Sequence, residues 1–159
     1  MLSDTKKLLG RILEVFEKYD KTNIPSDFTD VPLVDLVTED AISIAGYFSI
    51  TDGSVSEEET AIFNRVFGTQ KTPEEINSII TDNESIMNKI GYTFNIIAET
   101  EKLLGIYYLR KTMIVPLIKF FESFAMDIIK SENSQDSELE EFNLFFSKIE
   151  SVLETIPME

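Results

Sequence analysis

The side chains of this sequence that could do chemistry are nearly all carboxylates. Its 159 residues include 29 Asp and Glu but no Cys and no His. That inventory excludes thiolate nucleophiles, Ser-His triads, imidazole acid–base catalysis and Cys/His zinc sites. Any metal site must be built from oxygens, which selects calcium or magnesium. Carboxylates three residues apart, such as Glu14/Glu17, Asp27/Asp30 and Glu138/Glu141, are the half-sites that a magnesium-dependent hydrolase places on helices. Asp27 and Asp30 lie in a Pro-flanked connector, however, and Glu138/Glu141 is followed only by Glu150 and Glu154. The convergence such a site needs is missing. There is no Gly-x-x-x-x-Gly-Lys-Ser/Thr phosphate loop, and a di-iron bundle would need Glu-x-x-His. The chain is expected not to be an enzyme and to need no cofactor, calcium or magnesium being the one ion it is equipped to hold.

The most informative segment runs from Ala41 to Phe63: an apolar helix, Asp52-Gly53, Ser54, Val55, Ser56, then Glu59 and a new amphipathic helix. Asp52-Gly53 makes a tight turn, because Gly tolerates the left-handed conformation that ends helices. Ser56 is a candidate N-cap with Glu59 placed to complete a capping box, and Val55 precedes it as a hydrophobic staple. Glu57, Glu58 and Glu59 complement the helix dipole. Each polar residue here has a structural task. Setting Gly53 at the invariant glycine of an EF-hand loop puts Asp52 and Glu59 at acidic ligand positions. The same alignment puts Phe48 and Ile50 where the first two carboxylates belong, which excludes a standard EF-hand.

The run of an Ala-containing apolar helix into Asp-Gly-x-Val-Ser-x-x-Glu, over about residues 41–67, resembles the helical TerB-like domains of tellurite-resistance proteins. The resemblance rests on Asp52, Gly53, Ser56 and Glu59. It implies an all-helical fold of two pseudo-repeated halves, divalent-metal binding at Asp52 and Glu59, and a place in bacterial stress or defence systems. Residues 124–146 loosely echo 47–67, with Asn133 at the position of Gly53, but a second Asp-Gly is absent.

These residues must be carried by helices, because nearly every apolar cluster repeats at helical spacing. Leu8, Leu9, Ile12, Leu13, Phe16 and Tyr19 form the first stripe, with Ser3 as its N-cap. Lys18 to Val31 is a connector, ended by Pro32. A central helix spans about Leu33 to Ile50, apolar over a wide arc. The next runs from Ser56 to Phe67 and is closed by Gly68. Thr72-Pro73-Glu74-Glu75 opens a short helix to about Thr81. Asn83 to Leu109 forms the longest helix, with Gly91 and Gly105 marking bends. Residues 112–130 form another, with Pro116 either in its first turn or kinking it. Ser137 to Ile156 forms the last. The expectation is a single all-α domain over residues 1–159, a compact bundle of six or seven helices.

Twelve Phe and 43% apolar residues supply a core despite a formal charge of −15. The longest strictly apolar run, Met113 to Ile118, is far short of the about 20 residues of a membrane span. By elimination the protein is expected in the cytoplasm. Its charge opposes direct contact with nucleic-acid backbones or anionic membranes and favours a basic partner. Acidity is concentrated after Glu132, where Lys148 is the only cation. Lys102, Arg110, Lys111 and Lys119 form a stretch without carboxylates, which is expected to pair with the acidic C-terminal helix or to present a separate contact. Phe142, Phe145 and Phe146 span more than one helix face, which suits the core but also permits a dimer. The expected function is that of a non-catalytic protein–protein interaction module, an acidic binder of a basic protein. Immunity, inhibitor and stress or defence accessory proteins fit that profile. The alternative is a calcium- or magnesium-binding TerB-like protein centred on Asp52 and Glu59.

Overall fold

A computed structural model describes residues 2–48, 55–79, 85–105, 112–131 and 136–156. Among the described residues there are seven α-helices and no strand. They are α1 (Leu2–Lys21), α2 (Leu33–Tyr47), α3 (Glu57–Phe67), α4 (Pro73–Asn77), α5 (Ile86–Leu104), α6 (Ile114–Ser131) and α7 (Asp136–Glu154), with a 3-10 turn at Pro25–Asp27. The all-α bundle expected from the stripes is the observed architecture. None of these helices is long and apolar enough to cross a membrane.

The wide apolar arc of α2 makes it the central element. Leu33, Leu36, Val37, Ala41, Ile42, Ile44 and Ala45 are all buried. Helix α2 packs against α1, α5 and α6, while α1 lies along α6 and α3, and α7 covers α5 and α6. Two aromatic clusters fill the spaces between helices. Phe63 and Phe67 of α3 stack with each other and meet Phe120 and Phe124 of α6 edge-on or nearly so. Tyr47 and Phe48, at the end of α2, meet Phe142, Phe145 and Phe146 of α7 at ring separations of 4.6–6.5 Å. The C-terminal phenylalanines are therefore core, with Phe142 half-buried at its margin.

Several boundaries differ from those the sequence suggested, each for a physical reason. Ser3 lies within α1, which begins by Leu2, so it does not cap that helix. Helix α1 continues past Lys18 to Lys21, because buried Tyr19 extends its apolar face by another turn. Gly105 is a stop: at φ 73° it adopts the left-handed C-cap of α5, and its N–H bonds the Glu101 and Lys102 carbonyls. Gly91 marks a close approach of helices, since a Cβ there would come within 3.2 Å of Val152 on α7. Pro116 sits in the first turn of α6, where a missing N–H costs nothing.

The start of α2 has no local side-chain cap, because Pro32 occupies its N-cap position. Asp20, in the last turn of α1, supplies one from a distance. Its two carboxylate oxygens accept the N–H groups of Leu33 (2.9 Å) and Val34 (3.4 Å). The sequence therefore couples the end of one helix to the beginning of the next. Asp20→Ala is expected to lose about 1–2 kcal/mol, a typical cap loss, in urea denaturation. Asp20→Asn should retain most of that stability.

Candidate functional site

The structure realises the capping chemistry read at the second helix–helix junction. Ser56 accepts the Glu59 N–H (3.2 Å), and Glu59 Oε1 accepts the Ser56 N–H (2.8 Å), a complete capping box. Val55 is buried, and Asn77 of α4 clamps its backbone, accepting from the N–H (2.7 Å) and donating to the carbonyl (3.3 Å). A second capping box, Thr72 with Glu75, opens α4. Asn64 ties the intervening loop by accepting from Thr69 and Lys71 and donating to the Lys71 carbonyl.

Of the two residues expected to hold a divalent ion, Glu59 is fully buried at the start of α3, with one oxygen committed to the cap. Asp52 and Gly53 lie outside the described residues, as do Asn133, Arg110 and Lys111. Among the described residues, no three acidic side chains come together as a metal-binding group. Glu14 and Glu17 are exposed along α1, and Asp27 is exposed at the 3-10 turn.

Two further carboxylates are buried in the core, one richly hydrogen-bonded and one only partly satisfied. Glu101 of α5 accepts three hydrogen bonds, from Tyr19 Oη on α1 (2.9 Å), Thr112 Oγ1 (2.6 Å) and the Met113 N–H (2.7 Å) at the start of α6. Burial raises the pKa of Glu101, and its three donors oppose that rise. Burial and the neighbouring Glu101 charge together push the Tyr19 phenol well above its ordinary value. Asp40 of α2 faces α5, where Thr93 Oγ1 lies 2.7 Å from Oδ2 and 3.3 Å from the Lys89 carbonyl. Asp40 Oδ1 is buried with no hydrogen-bond partner. Desolvation raises the Asp40 pKa to about 8, against weaker opposition from Thr93 and Lys89. Lys89 is itself paired with Glu39 (3.1 Å). A third network joins Thr5 of α1 to Ser123 and Asp127 of α6.

A signal for both carboxylates was present in the stripes. Glu101 continues the series Ile86, Ile90, Phe94, Ile97 at helical spacing, and Asp40 sits between Val37 and Ile44 in theirs. A charged residue in register with a buried face marks a polar network or a site.

The surface charge is also arranged differently from the simplest expectation. Glu140, Glu141, Glu150 and Glu154 are exposed along α7. Glu122 of α6 stands near enough to Glu150 that burial, and then the Glu150 charge, raise its pKa. Lys102 and Lys119 form no ion pair with α7 or with any other described residue. Lys119 instead borders a groove between α1 and α6, alongside Arg11. Among the described residues, the carboxylates of α7 thus have no ion-paired cation. No family model, curated protein or solved structure matches the chain.

Proposed function

We propose that the protein is a non-catalytic interaction module that binds a basic protein partner through the acidic face of α7. The observation that carries this reading is the exposed row Glu140, Glu141, Glu150 and Glu154, which Lys102 and Lys119 leave unpaired. Burial, and then the Glu150 charge, raise the Glu122 carboxyl against opposition from Lys119, so a further cation here would be favourable. A steering field of this sign raises association rates with basic partners and loses strength with salt. The same physics serves an immunity or inhibitor protein, or a stress and defence accessory of the kind the TerB-like resemblance suggests.

The test is affinity capture on immobilised protein, compared with the triple variant Glu140→Lys, Glu150→Lys, Glu154→Lys. A basic protein is expected to be retained at about 0.1 M salt, released near 0.5 M, and absent from the variant. Capture that the triple variant leaves intact would overturn the assignment. The alternative centred on Asp52 and Glu59 makes a different prediction. Millimolar calcium or magnesium should then raise the melting temperature over EDTA, and Asp52→Asn should abolish the rise.

A further inference from the structure

A groove of about 340 Å³ runs between α1 and α6. Its floor is apolar: Leu8, Ile12 and Val15 come from α1, Met113 from just ahead of α6, and Pro116 from α6. Each wall adds one cation, Arg11 from α1 and Lys119 from α6, both exposed. Neither has an ion pair among the described residues. Lys119 interacts electrostatically with Glu122, one turn further along α6, yet two exposed cations over an apolar floor stand out in a chain with 29 acidic and 14 basic residues. They repel the basic partner that α7 suits, so the groove must serve something acidic.

Leu8 to Val15 spans eight residues, or about 10 Å of helix axis, which is room for about two turns of a visiting helix. A cation on each side, rather than two at one end, suits an occupant with an apolar stripe flanked by carboxylates. That is the helix-in-groove mode of recognition. The chain presents such a helix on its own surface. Leu144 of α7 is 52% exposed, with Glu140 and Glu141 exposed one turn before it. Glu141 also accepts a bond from Tyr47 Oη (3.1 Å), which holds it in place on that face.

We propose that α7 of a second copy of this chain docks in the α1–α6 groove, with Leu144 on the apolar floor and Glu140 and Glu141 facing Arg11 and Lys119. Two bodies of like net charge can associate in this way because charges further apart than about 8 Å are largely screened at physiological salt, whereas pairs across the contact are not. Lys148, one turn beyond Leu144, is the only cation in α7, and its repulsion from the groove's cations selects one of the two helix directions. The contact is small, so the association is weak and reversible. The self-contact and a basic partner draw on the same carboxylates and compete, but neither depends on the other.

Sedimentation equilibrium of the full chain, from about 10 μM to about 1 mM, brackets the range of small transient interfaces. The average mass is expected to rise with concentration. It should stay at the 18.2 kDa of one chain for Arg11→Glu/Lys119→Glu, for Glu140→Lys/Glu141→Lys, and for Leu144→Ser. Mixing the first two variants makes each groove complementary to the other's α7 and should restore association. Circular dichroism of each variant, all changed at exposed positions, separates loss of contact from loss of fold. A wild-type chain that stays at one-chain mass throughout overturns the proposal. So does self-association that the groove variant or Leu144→Ser leaves unchanged.

Discussion

Glu101→Ala is expected to cost about 3–5 kcal/mol, a large share of the roughly 5–15 kcal/mol that holds a domain of this size folded. The substitution removes the only acceptor shared by Tyr19 Oη, Thr112 Oγ1 and the Met113 N–H. Three donors from two parts of the chain, α1 and the 112–113 approach to α6, lose their partner, and an unsatisfied buried group carries a penalty of about 1–3 kcal/mol. Glu101→Gln is the more telling variant. It keeps the shape but puts an amide N–H₂ among three donors that already need acceptors, and should cost about 2–4 kcal/mol. Tyr19→Phe removes one of the three bonds and leaves the carboxylate two, so about 1.5 kcal/mol is expected. Urea denaturation midpoints at unchanged slope measure all three. A Glu101→Gln protein within 0.5 kcal/mol of wild type would show that the network contributes little.

The second large effect is a pH dependence tied to Asp40. In the folded chain its carboxyl holds a proton up to about pH 8, whereas an unperturbed Asp releases its proton near 3.8. Between those values the folded state binds one more proton than the unfolded state, so stability falls as pH rises. The slope from this group is about 1.4 kcal/mol per pH unit. Below about pH 4 both states are protonated and nothing is lost. At pH 7 the loss has reached on the order of 4 kcal/mol, and above about pH 8 it is complete. The protonated form also suits the geometry. An Asp40 O–H can donate to Thr93 Oγ1, which then donates onward to the Lys89 carbonyl 3.3 Å away. Asp40→Asn fixes a similar donor in place and cannot ionise. It should match wild type, or fall slightly below it, at pH 4.5 and gain steadily on it towards pH 8. Melting temperatures of both proteins at pH 4.5, 6, 7.5 and 9 read this difference directly, because every other titrating group is common to the two. Parallel curves would show that Asp40 does not hold the proton.

What the sequence disclosed, and what it withheld, divides by the range of the interactions. Capping boxes are written in four residues, so Ser56/Glu59 and Thr72/Glu75 could be read directly, as could Gly68 at the end of α3. The apolar stripes gave the helices and most of the core, including the C-terminal phenylalanines. Helix ends set by distant partners were not legible. Asp20 caps a helix 13 residues away, and Gly91 is explained only by Val152 on another helix. The buried networks were less legible still. Tyr19 and Glu101 are 82 residues apart, and Asp40 and Thr93 are 53 apart. Their positions in apolar stripes could have flagged them, but not named their partners. For the acidic turn at Asp52, the sequence supplied the candidate ligands and the cap; only the cap is visible at Glu59.

The bonds from Thr5 to Ser123 and Asp127 bear on how the chain is made. Helix α1 leaves the ribosome well before the helix it lies along, which starts more than 100 residues after α1 starts. At about 5–20 residues per second, the nascent protein spends several seconds or more with an amphipathic helix α1 whose α6-facing side has no native cover. During that interval the 3-10 turn, α2 and α3 are the neighbours it meets first, and the Ser123 and Asp127 partners of Thr5 have yet to be made. Productive docking of α1 is therefore largely deferred until α6 has emerged. The delay exposes the newborn chain to chaperones and to wrong partners for longer than a protein whose first helix packs only on its second.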